Sequence, residues 1–468
     1  MKRLRTAESN PGRLGKSLRT GFHVPWTALL LAIIAYCHWK LVSSIPLLAV
    51  QFDAVKVYLP GAQHLLENGL EFFFTREAYR TAPLNFIWPA LFDVDTDAIL
   101  LANKLLGVST LLLLFFTAKR LGGMVAAVAA AALYAFSPLL VPLIPTILSE
   151  PLFLAGTALW LLGIAHHDSP GKAWLITAVL GGIVSLLARP VWLPFIALSL
   201  PFLLSAALAQ PKERAWKKLA LAHALILLPV ALYCLHNLVQ FGFFGISTGS
   251  GAALYLGNHP LTFGMEPRHL LFDYDVQSMT IPWEGDYLSV AGDRALRTIG
   301  WSMIFDRSFA EQLDWMLYKV GAVMFFTKSD FAVDLYSIRA LRVFEWIFAL
   351  YGLTFVKARA LRFWFAGALL LQVAQLAMIL YNLRYSSGSL ELWLILLTGC
   401  GLAKLFFGVR AKLSSVPYGL RMALDFDKYS GRILPRVALV LIVLLGCGVA
   451  HWHRRLTDPL QPNIDHAP

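Results

Sequence analysis

Residues 51–92 read QFDAVKVYLPGAQHLLENGLEFFFTREAYRTAPLNFIWPALF and lie between two long apolar segments. The stretch begins with an acid, Asp53, and continues through an amphipathic helical segment that ends at Asn68-Gly69. It then returns to the next apolar segment through Arg80 and Pro83, followed by aromatic and aliphatic residues. Connections between membrane spans are usually short, whereas this one is long, half apolar and patterned. We therefore predict that it lies against the bilayer surface and forms a site there.

The composition is that of a membrane protein. The chain has 468 residues, of which 58% are hydrophobic and 15% are charged, and its mean hydropathy is +0.63. In lipid only helices and closed barrels satisfy every backbone hydrogen bond, and long unbroken apolar runs do not have the alternating pattern of a barrel. The sequence therefore predicts an all-α polytopic membrane protein.

The basic residues are typical of topology signals rather than of nucleic-acid binding. The formal net charge is +12, but Lys and Arg occur in short clusters between the apolar runs. All four cysteines fall inside apolar runs, which favours small buried side chains over disulfides or a metal cage. We therefore expect the lipid bilayer, and no nucleic acid, among the partners of this protein.

Apolar runs long enough to cross a bilayer, about 20 residues each, set the expected number of helices. We predict spans at residues 23–40, 98–117, 122–141, 149–166, 172–188, 191–208, 217–238, 339–356, 362–381, 388–408 and 434–452. A shorter apolar piece from Trp315 to Thr327 is interpreted as an interfacial helix, with an extra span as the alternative. The expected bundle therefore has about 11–13 transmembrane helices.

Lys and Arg near the span ends predict the orientation. With the N-terminus in the cytoplasm, every dense basic cluster falls on the cytoplasmic side, and the first span lacks a convincing cleavage site. We predict a multi-pass protein of a bacterial inner (plasma) membrane whose site faces the periplasm. The predicted parts are 1–22 (cytoplasmic basic N-terminus), 23–238 (N-terminal transmembrane module with the first outer connection at 41–97), 239–338 (extracytoplasmic region with the interfacial helix), 339–452 (C-terminal transmembrane helices) and 453–468 (tail).

Three arginines stand at outer span ends, where the orientation rule disfavours them. Arg80, Arg189 and Arg384 each lie beside Pro, Tyr or the start of a span. A guanidinium next to lipid is costly and is usually paired, and its planar set of donors suits phosphate. We interpret the three as a clamp for a lipid-linked phosphate; the alternative is ordinary snorkelling to lipid headgroups.

Two acids have both a chemical and a structural interpretation. Asp53 is placed to deprotonate or orient an acceptor hydroxyl or amine, but Asp also suits the N-cap of the helix that follows it. Glu150, at the outer start of a span, suits either a capping acid or a partner for one of the arginines. The residues alone leave both questions open.

The familiar metal and nucleotide motifs are missing from the sequence. His166-His167-Asp168 and His451-Trp452-His453 lack ligand spacing with supporting acids, so we assign no metal ligand. The chain has no HExxH, P-loop, dinucleotide-binding or GxSxG motif. An ATP-driven pump and a nucleotide-sugar enzyme domain are therefore unsupported.

Short motifs along the chain carry a resemblance to a known class of enzymes. In the first outer connection, Asp53 is followed by Tyr58, Ala62, Leu65-Leu66 and Gly69. Further motifs follow in order: Arg80–Pro83, Trp88–Phe92, Ser149-Glu150-Pro151, Ala188-Arg189-Pro190, Gly257-Asn258-His259-Pro260 and Leu383-Arg384-Tyr385. Together they resemble the polyprenyl-phosphate-sugar-dependent glycosyltransferases of the GT-C class, namely protein O-mannosyltransferases and aminoarabinose transferases.

The chain departs from this family pattern at three of the motifs. The proline return reads Thr81-Ala82 where the family often has a further acid and a Lys or Arg. The acid-to-tyrosine spacing between Asp53 and Tyr58 is one residue longer than in the family. The turn after Tyr385 reads Ser386-Ser387-Gly388 where the family has a proline.

The resemblance implies a fold, a reaction and a set of site residues. The fold is a GT-C-type bundle with outer-face interfacial helices and loops. The reaction is an inverting transfer of a sugar from a polyprenyl-phosphate donor to an extracytoplasmic acceptor, which is a glycan, lipid or protein. The implied residues are the catalytic Asp53, the donor-phosphate contacts Arg80, Arg189, Arg384 and Tyr385, and the substrate-site candidates Tyr58, Glu150, Asn258 and His259.

Two further questions concern a cofactor and a competing function. Some relatives use a divalent cation such as Mg or Mn, although no motif in this chain demands one. The main alternative function is a transporter or flippase for a lipid-linked or anionic substrate, which needs the same apolar fraction and the same charged groups. Transporters usually carry inverted repeats and ionisable residues near the midplane, and the sequence shows neither.

Overall fold

The structure, a computed structural model, describes residues 23–45, 53–167, 169, 171–196, 214–260, 285–325, 335–356, 359–380 and 383–414. Every regular element within these ranges is helical, and none is a strand. The helices are α1 His23–Ser44, α2 Leu59–Asn68, α3 Leu84–Ala90, α4 Thr96–Ala135, α5 Glu150–Ala165, α6 Ala173–Ala188, α7 Arg214–Phe241, α8 Ser250–Asn258, α9 Val290–Phe305, α10 Phe309–Phe325, α11 Leu335–Leu353, α12 Arg359–Met378 and α13 Leu383–Ser414.

These helices confirm the predicted all-α membrane fold. Five of the described helices contain segments long and apolar enough to cross a bilayer: Trp26–Ser44, Thr96–Ala135, Lys217–Phe241, Leu361–Met378 and Gly388–Gly408. Helices α5 and α6 are apolar but shorter. Most of the predicted span 191–208 and all of 434–452 lie outside the described residues.

The predicted spans 98–117 and 122–141 form one helical run with a break. Helix α4 is interrupted at Gly123, whose φ of 82° and ψ of −168° only glycine adopts readily, so the run consists of two helices. The second ends at Ala135, six residues before the predicted end. The helix cannot continue because Pro138 lacks a backbone N–H and clashes with the preceding turn.

Glycines let neighbouring helices approach closely, as is common in membrane bundles. On α5 and α6, a Cβ added at Gly163 would meet the backbone of Ala178. On α11 and α13, a Cβ added at Gly352 would meet the Leu397 carbonyl. Direct backbone contact of this kind fixes the two helix pairs, which have some of the most extensive interfaces in the fold.

Four buried tryptophans join the two halves of the described chain. Trp160 lies on α5, Trp192 directly follows α6, Trp364 lies on α12 and Trp393 lies on α13. The Trp160 and Trp364 ring centres are 5.4 Å apart, and those of Trp364 and Trp393 are 5.2 Å apart. Edge-to-face and tilted contacts at these separations are favourable. This aromatic core lies next to Arg189, since Trp192 follows it by three residues.

Part of the predicted 239–338 region is helical. Helices α8, α9 and α10 lie within it, and α10 begins at Phe309, six residues before the predicted interfacial helix at Trp315. Phe309, Leu313 and Leu317 form a stripe on α10 and are 84%, 48% and 61% exposed. An apolar stripe at helical spacing is typical of a helix that lies on a membrane surface.

Candidate functional site

A π-helical turn accommodates the extra residue between Asp53 and Tyr58. The turn spans Ala54–Tyr58, and the Leu59 N–H donates to the Ala54 carbonyl, five residues back instead of four. Turns of this kind absorb one additional residue and are frequent at functional sites. Asp53 and Tyr58 therefore lie one turn apart on the same side, as residues four apart do in an α-helix.

The N-cap interpretation of Asp53 does not fit the structure. The side chain makes no capping hydrogen bond, and its backbone (φ −61°, ψ −38°) already has helical geometry. An N-cap residue normally has non-helical backbone angles and accepts a bond from the second or third N–H of the helix. The structural alternative to a chemical role for this acid is therefore weakened, and the catalytic role stays a prediction.

The side chain of Asn85 links the first outer connection to the end of α6. Sequence reasoning did not single out this residue. Its Nδ2 donates to Thr81 Oγ1 at 2.8 Å and to the Ala188 carbonyl at 3.3 Å. Thr81 directly follows Arg80, and Ala188 directly precedes Arg189. One buried amide thus brings together the backbone segments that carry two of the three predicted clamp arginines.

A small hollow lies beside this amide. Polar groups of Tyr58, Asn85, Trp88 and Asn103 contribute to its lining, together with apolar side chains from α3, α4 and the start of α5. Asn103 is fully engaged, because its Oδ1 accepts from Trp88 Nε1 at 2.9 Å and its Nδ2 donates to the Thr146 carbonyl at 2.7 Å. Tyr58 therefore lines the same hollow as the residue that links the two arginine-bearing segments.

Arg189 and Glu150 form a buried ion pair. Arg189 Nη1 lies 3.4 Å from Glu150 Oε1, and the two side chains are 9% and 0% exposed. Glu150 thus pairs with an arginine and is also the acid in the first turn of α5, so both sequence interpretations apply. A buried pair of this kind is strongly destabilised when either member is removed, because the other is left as an uncompensated charge.

Aromatic rings enclose the guanidinium of Arg189. The ring centres of Phe153 and Tyr385 lie 5.6 Å and 5.3 Å from it, both within cation–π distance. A Cβ added at Gly388 would come within 2.6 Å of Arg189 Nη1, so the guanidinium packs closely against α13 at this glycine.

Arg80 makes a different contact. Its Nη2 donates to Asp286 Oδ2 at 2.5 Å, and the two side chains are 36% and 39% exposed. Asp286 belongs to the segment before α9, which the sequence does not link to residue 80. Two of the predicted clamp arginines thus have different partners: Arg189 contacts Tyr385, and Arg80 is paired with Asp286.

The remaining predicted residues lie at the start of α13 and at the end of α8. Arg384 is in the first turn of this helix, and its side chain lies outside the described parts. Asn258 is buried and donates from Nδ2 to the Leu254 and Met378 carbonyls at 2.9 Å and 3.1 Å. His259 packs against Tyr255, and burial lowers the pKa of its imidazole. These contacts join α8 to α12, which sequence reasoning did not foresee for the GNHP motif.

The described residues do not fit a metal site. Within them, no group of three His, Cys, Asp or Glu side chains is close enough together to hold an ion. Glu150 faces a guanidinium instead of a second carboxylate. The use of a divalent cation stays a prediction.

Two structures of an oligosaccharyltransferase from the archaeon Archaeoglobus fulgidus are similar to this chain. The first, AglB in complex with an inhibitory peptide and a dolichol-phosphate, has 15% identity and a TM-score of 0.49 and covers 92% of this chain. The second, tethered to an acceptor peptide with an NVT sequon, has 14% identity and a TM-score of 0.49. This chain spans 56% and 55% of the length of those two chains. Comparison with curated protein sequences gave no significant match.

The model of one known protein family matches part of the chain. The model of the dolichyl-phosphate-mannose-protein mannosyltransferase family matches residues 86–233, just under a third of the chain, from α3 into α7. This segment includes Glu150 and Arg189, the buried ion pair of the candidate site. Over these residues the chain is similar to that mannosyltransferase family of membrane glycosyltransferases.

Proposed function

We propose that this protein transfers a sugar from a polyprenyl-phosphate donor to an extracytoplasmic acceptor, with inversion at the anomeric carbon. The observation that carries the proposal is the buried Arg189 guanidinium, held between Glu150 and two aromatic rings within the segment that matches the family. The family's name supplies the donor class, a sugar linked to a lipid phosphate.

Arg189 is suited to bind a phosphate oxygen. Its Nη1 is buried and, although it lies at ion-pair distance from Glu150, it makes no hydrogen bond in the described part of the chain. Because Nη1 faces Glu150 at ion-pair distance without a hydrogen bond, it keeps the capacity to donate to an oxygen ligand. Glu150 keeps the site close to neutral before the donor binds.

The proposed reaction needs charge stabilisation and a base. As the sugar–phosphate bond breaks, negative charge grows on the leaving phosphate, and preorganised donors at that point lower the barrier. We assign this role to Arg189 and Arg384, with Arg80 at the edge of the site. Asp53 takes the proton of the acceptor hydroxyl or amine as that atom attacks the anomeric carbon. Tyr58, on the same side of the π-turn, orients the acceptor.

One observation favours the alternative of a transporter or flippase. Arg342, Glu345 and Glu391 form a buried charged cluster between α11 and α13, and Glu391 lies within a candidate span. Ionisable residues inside membrane segments often mark a transport pathway. The sequence had suggested charges only at the outer ends, so this cluster is a correction to that expectation.

A transfer assay separates the two functions. The purified protein in lipid nanodiscs would be incubated with dolichyl-phosphate-mannose labelled in the sugar and with an envelope fraction as acceptor. We expect labelled mannose, or the sugar of another polyprenyl-phosphate donor tested in parallel, to appear in the acceptor fraction with release of the lipid phosphate. Movement of intact donor across proteoliposomes, with no release of lipid phosphate from any donor, would instead establish the transporter.

Replacing Asp286 with asparagine is expected to lower the donor KM by up to about fivefold, because exposed ion pairs are worth up to about 1 kcal/mol. In the structure the Asp286 carboxylate is paired with the guanidinium of Arg80. We propose that this guanidinium binds the donor phosphate, so the carboxylate competes with the donor. Asparagine keeps the acceptor for the Leu288 N–H but removes the charge. Steady-state kinetics with varied donor would measure the effect.

The matched control for this experiment is Asp306→Asn. Asp306 is exposed at the end of α9, in the same region of the chain. The Asp306→Asn substitution removes one negative charge from the same region and leaves the Arg80 ion pair intact. An equal fall in donor KM for both variants would mean that general electrostatics, and not the Arg80 contact, is responsible.

A further inference from the structure

Lys319 is a buried basic residue that the proposed reaction does not use. It lies on α10, its side chain is fully enclosed, and its hydrogen-bond partners are backbone carbonyl groups. In the described ranges it forms no ion pair with a carboxylate. Burial, with a smaller contribution from Arg307, lowers the pKa of Lys319 to about 7, which reflects the cost of holding its charge there. A group kept at such a cost calls for an explanation.

Two helix ends meet at this lysine. A Cβ added at Gly257, near the end of α8, would collide with the backbone of Ile379 just after α12. The Leu380 N–H donates to the Ala253 carbonyl at 2.8 Å across the same junction. Helices α8 and α12 are therefore in direct backbone contact at their C-terminal ends.

Two cations hold this junction together. Lys319 Nζ donates to the Gly257 carbonyl at 2.8 Å and to the Ile379 carbonyl. Arg307 donates to the Asn258 carbonyl and, at 3.3 Å, to Asn258 Oδ1. The last carbonyls of a helix have no partner within it and carry the negative end of its dipole. Lys319 thus satisfies and joins the C-terminal ends of two separate helices.

The junction lies directly before the donor side of the candidate site. Helix α13 begins at Leu383, only a few residues after Ile379, and Tyr385 in its first turn lies 5.3 Å from the Arg189 guanidinium. We infer that Lys319, supported by Arg307, is a positioning residue that fixes where α13 starts and thereby places its first turn against Arg189. This inference rests on the proposed function, because it assigns Lys319 an effect on donor binding.

The test is the kinetic effect of Lys319→Met, which removes the ammonium while keeping a long apolar stem. With dolichyl-phosphate-mannose as the varied substrate, we expect the donor KM to rise about tenfold with little change in kcat or in acceptor KM. In an Arg384→Ala background the same substitution should add much less, because effects that pass through one contact are not additive. A role in general stability alone would give the same loss in both backgrounds.

Lys404→Met is the matched control. Lys404 lies near the other end of α13, where its Nζ donates to Thr354 Oγ1 of the segment after α11. It therefore also ties α13 to a neighbour, but far from the first turn, and its loss should leave the donor KM unchanged.

A second variant covers the case in which Lys319→Met does not fold. Arg307→Gln alters a less buried member of the same junction and should raise the donor KM about two- to fivefold. A folded Lys319→Met protein with a wild-type donor KM would overturn the inference. If Lys319→Met did not fold, a wild-type donor KM for Arg307→Gln would overturn it as well. If the wild-type protein transferred sugar from no polyprenyl-phosphate donor, the proposed function itself would fail, and the inference with it.

Discussion

Replacing Asp53 with asparagine is expected to lower kcat for sugar transfer by at least about 100-fold while the protein remains folded and inserted. Asparagine has nearly the same shape but cannot take the proton of the acceptor. The substitution removes no helix cap, because Asp53 does not cap the helix that follows it. Turnover of the purified variant with saturating donor and acceptor would measure the effect, and its elution profile in detergent would report on folding.

Asp95→Asn is the matched control for this prediction. Asp95 is a second acid of the first connection, and its Oδ1 accepts from the Asp97 and Ala98 N–H groups at 2.9 Å and 3.3 Å as the N-cap of α4. Asparagine caps a helix about as well as aspartate, so this variant should keep wild-type turnover. If Asp53→Asn also kept it, the base assignment would be wrong, and another group would have to accept the proton.

Hydropathy predicted the helices well because the bilayer imposes their length and composition. The predicted starts of the spans at residues 23, 149 and 172 lie within one residue of the observed helix starts at His23, Glu150 and Ala173. The break at Gly123 also falls where two spans were expected to meet. These features are local, since each depends on residues within about 20 positions of one another.

The candidate site was harder to predict because its contacts join distant parts of the chain. Glu150 was expected to cap a helix or to pair with an arginine, and only the fold shows that the partner is Arg189. The pairing of Arg80 with Asp286 spans 206 positions and has no local signal. Lys319 was part of an apolar piece of sequence, and nothing nearby indicated that it would meet two helix ends.

The spacing of Asp53 and Tyr58 shows how a local pattern can mislead for a physical reason. Counted along a regular α-helix, the extra residue would rotate the tyrosine by about 100° further, to about 140° from the acid. The π-turn at Ala54–Tyr58 absorbs that residue, so the two side chains share a side after all. Spacing rules hold only for the helix geometry that they assume.

The largest expected effect on stability comes from Arg342. The residue lies on α11 with 0% of its side chain exposed, 2.5 Å from Glu391 Oε2 on α13 and 3.6 Å from Glu345 Oε2. Arg342→Met should lower the free energy of unfolding by about 3–5 kcal/mol, because it leaves two carboxylates without a cation in the apolar interior. Unfolding in mixed detergent micelles, followed by circular dichroism, would measure the loss.

The two glutamates provide the comparison that tests this explanation. Glu345→Leu removes the more distant carboxylate and leaves Arg342 and Glu391 as a one-to-one pair, so its cost should be well below that of Arg342→Met. Replacing all three residues with Met should recover most of the stability, since apolar groups of similar volume often substitute for a buried ionic cluster without loss. A triple variant as unstable as Arg342→Met would show that the arginine stem, through its packing between α11 and α13, matters more than its charge. In that case the position of α13, whose first turn carries Arg384 and Tyr385, would depend on the packing of the arginine stem between α11 and α13 and not on the ionic contact.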